Sequence, residues 1–258
     1  NFSADAGKGL EDIRSDERTI PYLVIIQKGS PQVDELKDEF MPEAKKGDIL
    51  NTATGEIVKN PIIVPLHRDV CYIERVPEED GSDSYSITRH ACESDFIREA
   101  LDGERRDDTG WLLASNGNKV CKTIYLDALL LDSADAESGE PVRIVLRRSK
   151  LAPWKGFIDP INRYRNEFPM FAHRRKLTTL NKSFQNGKHT SFIFEFDFVE
   201  KDPSGAQRGH VTSSLIKSQK MYDLARDSAE FIVNAIAAGK AKFSDERKSN
   251  DEISEVPF

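Results

Sequence analysis

Apolar and polar residues alternate along much of this chain, and the alternation predicts strands more often than helices. Residues 20–27 (IPYLVIIQ) form a continuous apolar run that predicts a buried strand, closed by Gly29, Ser30 and Pro31. Residues 32–48 read as loop and residues 51–55 as a turn. The strand pattern returns at 62–64 and at 70–76, broken by Pro61, Pro65 and Pro77. Residues 78–110 are mostly acidic and polar and predict a long insertion with a short helix near 94–101. Residues 111–114, a turn at Asn116, Gly117 and Asn118, and residues 120–131 predict a β-hairpin. Next, Val142, Ile144 and Leu146 alternate with Arg143, Val145 and Arg147, which places two arginines opposite the apolar face of a strand. Residues 149–169 mix aromatic and basic residues around Pro153, Pro160 and Pro169, and predict loop with a short helix between 159 and 168. Phe192, Phe194, Phe196 and Phe198 share one face of a strand over 191–199. Residues 213–238 predict a single amphipathic helix, with Leu215, Tyr222, Ala225, Ala229, Ile232 and Ile236 at helical spacing and Gly239 as its stop.

This order divides the chain into a mobile arm (1–19), a mainly β domain (20–210), a C-terminal helix (211–239) and a disordered acidic tail (240–258). The fold class is mainly β (α+β). Five or more strands with irregular insertions suggest a small barrel or sandwich, and an OB-like five-stranded barrel with long insertions is one such architecture. At 258 residues the chain is long enough to bury a sizeable core. It holds no apolar run of the roughly 20 residues that span a bilayer. Its opening lacks a basic region followed by an apolar stretch, so no secretory signal is expected. Cys71, Cys92 and Cys121 are odd in number and far apart, which is not a disulfide framework and favours a cytoplasmic setting.

Charge changes the picture. The net charge is −7, yet it is unevenly spread. Residues 1–142 carry 16 basic against 30 acidic side chains, residues 143–188 carry 12 against 2, and residues 189–258 carry 9 against 12. The middle block is therefore +10 inside an acidic chain, and such self-repulsion calls for a polyanionic partner. Its cations include Arg143, Arg147, Arg148, Lys150, Lys155, Arg163, Arg165, Arg174, Arg175, Lys176, Lys182 and Lys188. Trp154, Phe157, Tyr164, Phe168, Phe171 and Phe184 are interleaved with them. Unpaired nucleic acid is held by cations along its phosphates and by flat side chains on which bases stack, at about 1–3 kcal/mol per stacked base. Trp154, Tyr164 and Phe171 are the stacking candidates, and the cations just named, Lys188 excepted, are the phosphate candidates.

Enzymatic signatures are lacking. No phosphate-cradling Gly-rich loop, dinucleotide fingerprint or nucleophile elbow occurs. His90 and Cys92 are a possible ligand pair, but no CxxC or HxxxH accompanies them, so neither metal nor cofactor is expected. The acids of 78–108 read as a solvated loop rather than a two-metal set.

The chain ends Asp251-Glu252-Ile253-Ser254-Glu255-Val256-Pro257-Phe258. This resembles the acidic C-terminal tip of bacterial and phage single-stranded DNA-binding proteins, with Ile253 and Ser254 interrupting the acids. The resemblance implies an OB fold and a tip that recruits replication and recombination proteins. In that reading Pro257 and Phe258 are the anchor, Val256 supports them, and Asp251, Glu252 and Glu255 steer. Residues 20–33 (IPYLVIIQKGSPQV) and 45–56 (KKGDILNTATGE) also resemble phage proteins encoded among DNA-metabolism genes. The expectation is a non-catalytic protein that binds and protects single-stranded DNA in the host cytoplasm, possible as a homodimer. The rivals are a virion or assembly component and a strand-annealing recombination protein. An acidic tail tethered beside a cationic groove competes for that groove. Deleting residues 245–258 is therefore expected to tighten oligonucleotide binding and to leave its salt dependence nearly unchanged. Weaker binding by the truncated chain in a fluorescence titration would refute the competition.

Overall fold

The computed structural model describes residues 20–78, 85–108, 110–184 and 189–237. The expected arm, the acidic tail with its tip, and Lys188 lie outside the described residues. In chain order the elements are β1 (Leu23–Ile25), β2 (Ile49–Asn51), β3 (Ile62–Pro77), β4 (Tyr85–Ala91), α1 (Asp95–Gly103), β5 (Leu112–Leu113), β6 (Lys119–Leu131) and β7 (Glu140–Arg147). They continue with α2 (Leu151–Arg163), β8 (Arg175–Phe184), β9 (His189–Phe198), α3 (Gln207–Ser213) and α4 (Gln219–Ala237).

The spine is the antiparallel pair β3–β6, in register from Ile62 opposite Leu131 to Arg75 opposite Lys119. Each long strand has two shorter partners on its outer side. β6 takes β5 and then β7, while β3 takes β4 at one end and β8 at the other, with β9 beyond β8. The result is a seven-stranded antiparallel sheet, and β1–β2 form a separate two-stranded sheet tied to β7 by a bridge from Tyr22 to Arg143. The α+β class stands, but the OB-like barrel does not. Among the described residues the sheet path ends at β5 and β9, and no pairing joins those ends into a closed barrel.

Pro65 does not end β3: the ladder shifts register between Pro65 and His67, a bulge that accommodates a residue with no N–H to donate. The bulge also exchanges the faces on which β3 side chains lie. Beyond it Asp69, Cys71, Ile73 and Arg75 share a face with Cys121, Thr123, Tyr125 and Asp127 of β6 and with Arg143, Val145 and Arg147 of β7. Likewise the prolines of 149–169 concealed a longer helix. α2 runs over Leu151–Arg163 with Pro160 inside it.

The core lies on the opposite face. There Trp154, Phe157 and Ile161 of α2 pack on Ile124, Leu126, Ile144, Leu146, Leu177 and Phe194. α1 covers the same face near the β5–β6 hairpin, with Ile97 and Ala100 against Leu112 and Val120. Its start is capped by Ser94 Oγ, which accepts the Ile97 N–H. α4 seats Met221, Ala225 and Ala229 on Val64, Leu66, Leu129 and Leu131 at the far end of the spine. The helix expected over 213–238 begins only at Gln219, and a separate short helix, α3, precedes it, because the chain between α3 and α4 pairs with another segment. Ser214 O accepts the Arg174 N–H, and the Ile216 N–H donates to Ala172 O. β8, which the charged sequence did not announce, pairs with β9 along its whole length.

Trp154 is 2% exposed and packs against Phe157 and Phe196, which makes α2 the clamp of this core. Trp154→Ala is expected to destabilise the fold by about 3–5 kcal/mol in denaturant unfolding, through lost burial and the cavity left behind.

Candidate functional site

The twelve cations of 143–188 do not converge on one groove. Trp154, expected to stack on bases, is a core residue on the α2 side of the sheet. Arg174 is 1% exposed and points toward the segment before α4, where its guanidinium donates to Leu215 O at 3.1 Å, Ala134 O at 2.5 Å and Glu200 at 3.3 Å. Arg175, its neighbour on an extended strand, takes the opposite side and lies between the rings of Phe157 and Phe198 at 4.9 and 4.2 Å. Phe171 packs beside Tyr222 of α4, and Tyr164 lies under Arg208 at 5.7 Å. Lys155, Arg163 and Arg165 are exposed on and just after α2, with Arg163 donating to Gln207 and Arg165 to Asn162. Lys176 is half-buried opposite Asp197, and Lys182 is exposed beside Phe184. Trp154, Arg174 and Arg175 are therefore not part of a surface along which a strand can lie, because each is buried within the fold.

Arg143, Arg147 and Arg148 do assemble, with residues that the sequence reading passed over. They share the face of the sheet opposite α2 with Arg75 of β3, Arg89 of β4 and Lys119 of β6. Three rings lie among these six cations. Trp111 lies beneath Arg75 at 4.4 Å and Arg148 at 4.2 Å, with the Lys119 ammonium 6.0 Å from its centroid. The Arg75 guanidinium also lies 4.4 Å from the Tyr85 ring. Tyr125 has Arg89 at 5.2 Å and Arg143 at 6.0 Å, and its hydroxyl oxygen accepts from Arg147 at 3.3 Å. Tyr125, Cys71 and Ile73 on this face are all buried, and arginines lie at the Tyr125 ring and hydroxyl. Among the described residues no helix packs over this part of the sheet; Lys150 follows it, half-buried.

Among the described residues three carboxylates pair with members of this set. Asp69 pairs with Arg89, Asp107 with Lys119 at 3.0 Å, and buried Asp127 with Arg143 Nε at 2.7 Å. Burial works against the Arg143 cation, but Asp127 and Tyr22 outweigh it and hold the guanidinium pKa above its ordinary value. Arg143 is therefore held in place by its own acid. Arg148 adopts φ 51°, a left-handed conformation uncommon for any residue with a Cβ, and in it the guanidinium reaches Trp111.

The hairpin that carries Trp111 is anchored from the other face. Glu74 is buried, and its Oε1 accepts from Asn116 at 2.8 Å and Asn118 at 2.7 Å while His90 lies 2.7 Å from Oε2. His90 in turn stacks on Phe96 at 4.3 Å. The expected turn at Asn116–Asn118 thus has its two amides committed to one carboxylate, and His90 serves this anchor. Among the described residues no group of three or more His, Cys, Asp or Glu side chains is placed to hold a metal ion, and no helix is long and apolar enough to cross a membrane.

Comparison with protein families matches residues 1–238 to the model described as Pam3 phage gp34-like protein. The chain belongs to that family. It is a protein of a phage family, as the resemblance of its body to phage proteins implied. No curated protein matches this gp34-like chain, and no solved structure does.

The Glu74 anchor makes the stability of the gp34-like fold depend on pH. Burial alone would raise the Glu74 pKa, but hydrogen bonds from Asn116, Asn118 and His90 outweigh it and hold the group below its ordinary value of 4.5. A carboxyl whose pKa falls on folding stabilises the protein above the unfolded-state value and loses that contribution as pH drops through the folded-state one. Wild type is therefore expected to exceed Glu74→Gln in thermal stability by a constant margin near neutral pH, with the margin shrinking below about pH 4.5. A margin independent of pH from 7 to 3 would contradict this.

Proposed function

We propose that this protein is a non-catalytic single-stranded nucleic-acid binder of a phage, and that its contact surface is the arginine-lined sheet face rather than the 143–188 segment as a whole. The supporting observation is the interleaving of Arg75, Arg89, Lys119, Arg143, Arg147 and Arg148 with Tyr85, Trp111 and Tyr125 on one face. A guanidinium held on a ring can offer its N–H edge to a phosphate, and loses less rotamer freedom on binding. The rings here serve chiefly to orient the arginines, since Trp111 and Tyr125 are themselves covered. Six cations gathered on one face of a chain that is acidic as a whole suit a polyanion.

Recruitment of replication or recombination proteins by residues 251–258 belongs to the same reading and rests on the resemblance of the tip alone. A virion or assembly role has no comparable feature in its favour.

Oligo-dT titration tests the proposal, with tryptophan fluorescence as the signal. Trp111 and Trp154 are the only tryptophans, one beneath the arginines and one in the core. Quenching is expected to persist in Trp154→Phe and to vanish in Trp111→Phe. Log affinity should fall with log salt by about 0.7 per phosphate neutralised, and Arg75→Ala with Arg148→Ala should reduce that slope by about 1–2. If instead Lys155→Ala, Arg163→Ala and Arg165→Ala reduce the slope and the sheet variants do not, the contact surface is α2. No binding by the wild-type chain would overturn the reading.

A further inference from the structure

Among the described residues each buried arginine but one has an acid beside it. Arg143 has Asp127, and Arg174 has Glu200 with Asp135 at 3.7 Å. Arg175 is 1% exposed, and among the described residues no carboxylate pairs with it. Its one hydrogen bond runs from Nη1 to Arg174 O at 3.3 Å, and its buried Nη2 has no partner. Two residues away, His173 is fully buried and both its ring nitrogens also lack a partner. Burial and the Arg175 charge hold His173 near a pKa of about 3, so the ring is neutral with one N–H to donate. Burial likewise lowers Arg175 to about 9.

A buried charge without a counter-ion and with an unsatisfied donor is among the costliest arrangements a fold can hold, and an apolar side chain of similar size would pack there more favourably. Water can satisfy the donors but cannot neutralise the charge. We propose that Arg175 and His173 form a buried site for a phosphoryl oxyanion. The guanidinium carbon lies 4.9 and 4.2 Å from the Phe157 and Phe198 ring centroids, so a ligand would meet it at its N–H edge. Nη1 is turned to Arg174 O, which leaves the Nη2 edge as the donor, with the His173 N–H as the second. A tetrahedral oxyanion offers acceptors in several directions and carries the charge that the guanidinium lacks. This site is on the α2 side of the sheet and is independent of the proposed nucleic-acid surface.

Calorimetric titration of the full chain with inorganic phosphate, at ionic strength held constant with chloride, is the test. One phosphate per chain is expected, with the thermal midpoint rising by roughly 5 °C at a hundredfold excess over Kd. Arg175→Met should abolish this uptake and, without phosphate, melt no lower than wild type. Arg175→Lys should bind at least about tenfold more weakly, since a point charge replaces the planar donor edge. Arg75→Ala with Arg148→Ala should take up phosphate as wild type does, which separates this site from the sheet face. A 5′-phosphorylated dT oligonucleotide that displaces the phosphate, where the unphosphorylated one does not, assigns the group to a strand end; no displacement by either assigns it to the free anion. Absence of saturable uptake by the wild-type chain overturns the proposal, as does undiminished uptake by Arg175→Met.

Discussion

The β3–β6 ladder is the constraint on which the rest depends, because it decides the side on which each residue lies. In an antiparallel pair, directly opposed residues share a face and the next pair takes the other. One register shift at Pro65 and His67 therefore reassigns every β3 position that follows. With that shift, Val64 meets α4 while Asp69, Cys71, Ile73 and Arg75 join the arginine-lined face. Without it Arg75 and Glu74 would exchange sides. A cation would then enter the buried amide pocket of Asn116 and Asn118, and an acid would lie over Trp111.

That dependence separates what was legible in the sequence from what was not. Local features were legible: the strand near 20–27, the β5–β6 hairpin with its Asn-Gly-Asn turn, the alternation in 142–147 and the apolar face of 191–199. Each rests on short-range pattern and turn chemistry. The helix break before α4 was not legible, since it arises from hydrogen bonds to residues 172–174 far back in the chain. β8 was hidden for a related reason. Arg175, Lys176 and Lys182 make it read as surface, yet it is paired on both sides at its start, to β3 and to β9.

The candidate surface shows the same division more sharply. Counting charge along the sequence found Arg143, Arg147 and Arg148 but gave no reason to join them to Arg75, Arg89 and Lys119, which lie in a stretch of net negative charge. Strand parity would have grouped some of them, since Tyr85, Ile87 and Arg89 alternate, as do Lys119, Cys121, Thr123 and Tyr125. It could not have paired those strands. Trp154 was misread for the converse reason. Its basic sequence neighbour Lys155 is exposed while the ring itself is turned into the core, as one helical step of about 100° permits.

The +10 block was read as self-repulsion in need of a polyanion, and folding answers much of it from within. Arg143 meets Asp127, and Arg174 meets Asp135 and Glu200, acids drawn from the negative blocks on either side. The uneven charge along the sequence is thus partly a pattern of long-range pairing, in which opposite blocks are brought together by the sheet. Among the described residues Arg175 is where that pairing is incomplete, since the fold sets aromatic carbon beside it instead of carboxylate. A ring face attracts a cation but cannot neutralise it, so this place retains a positive field that a bound anion would lower.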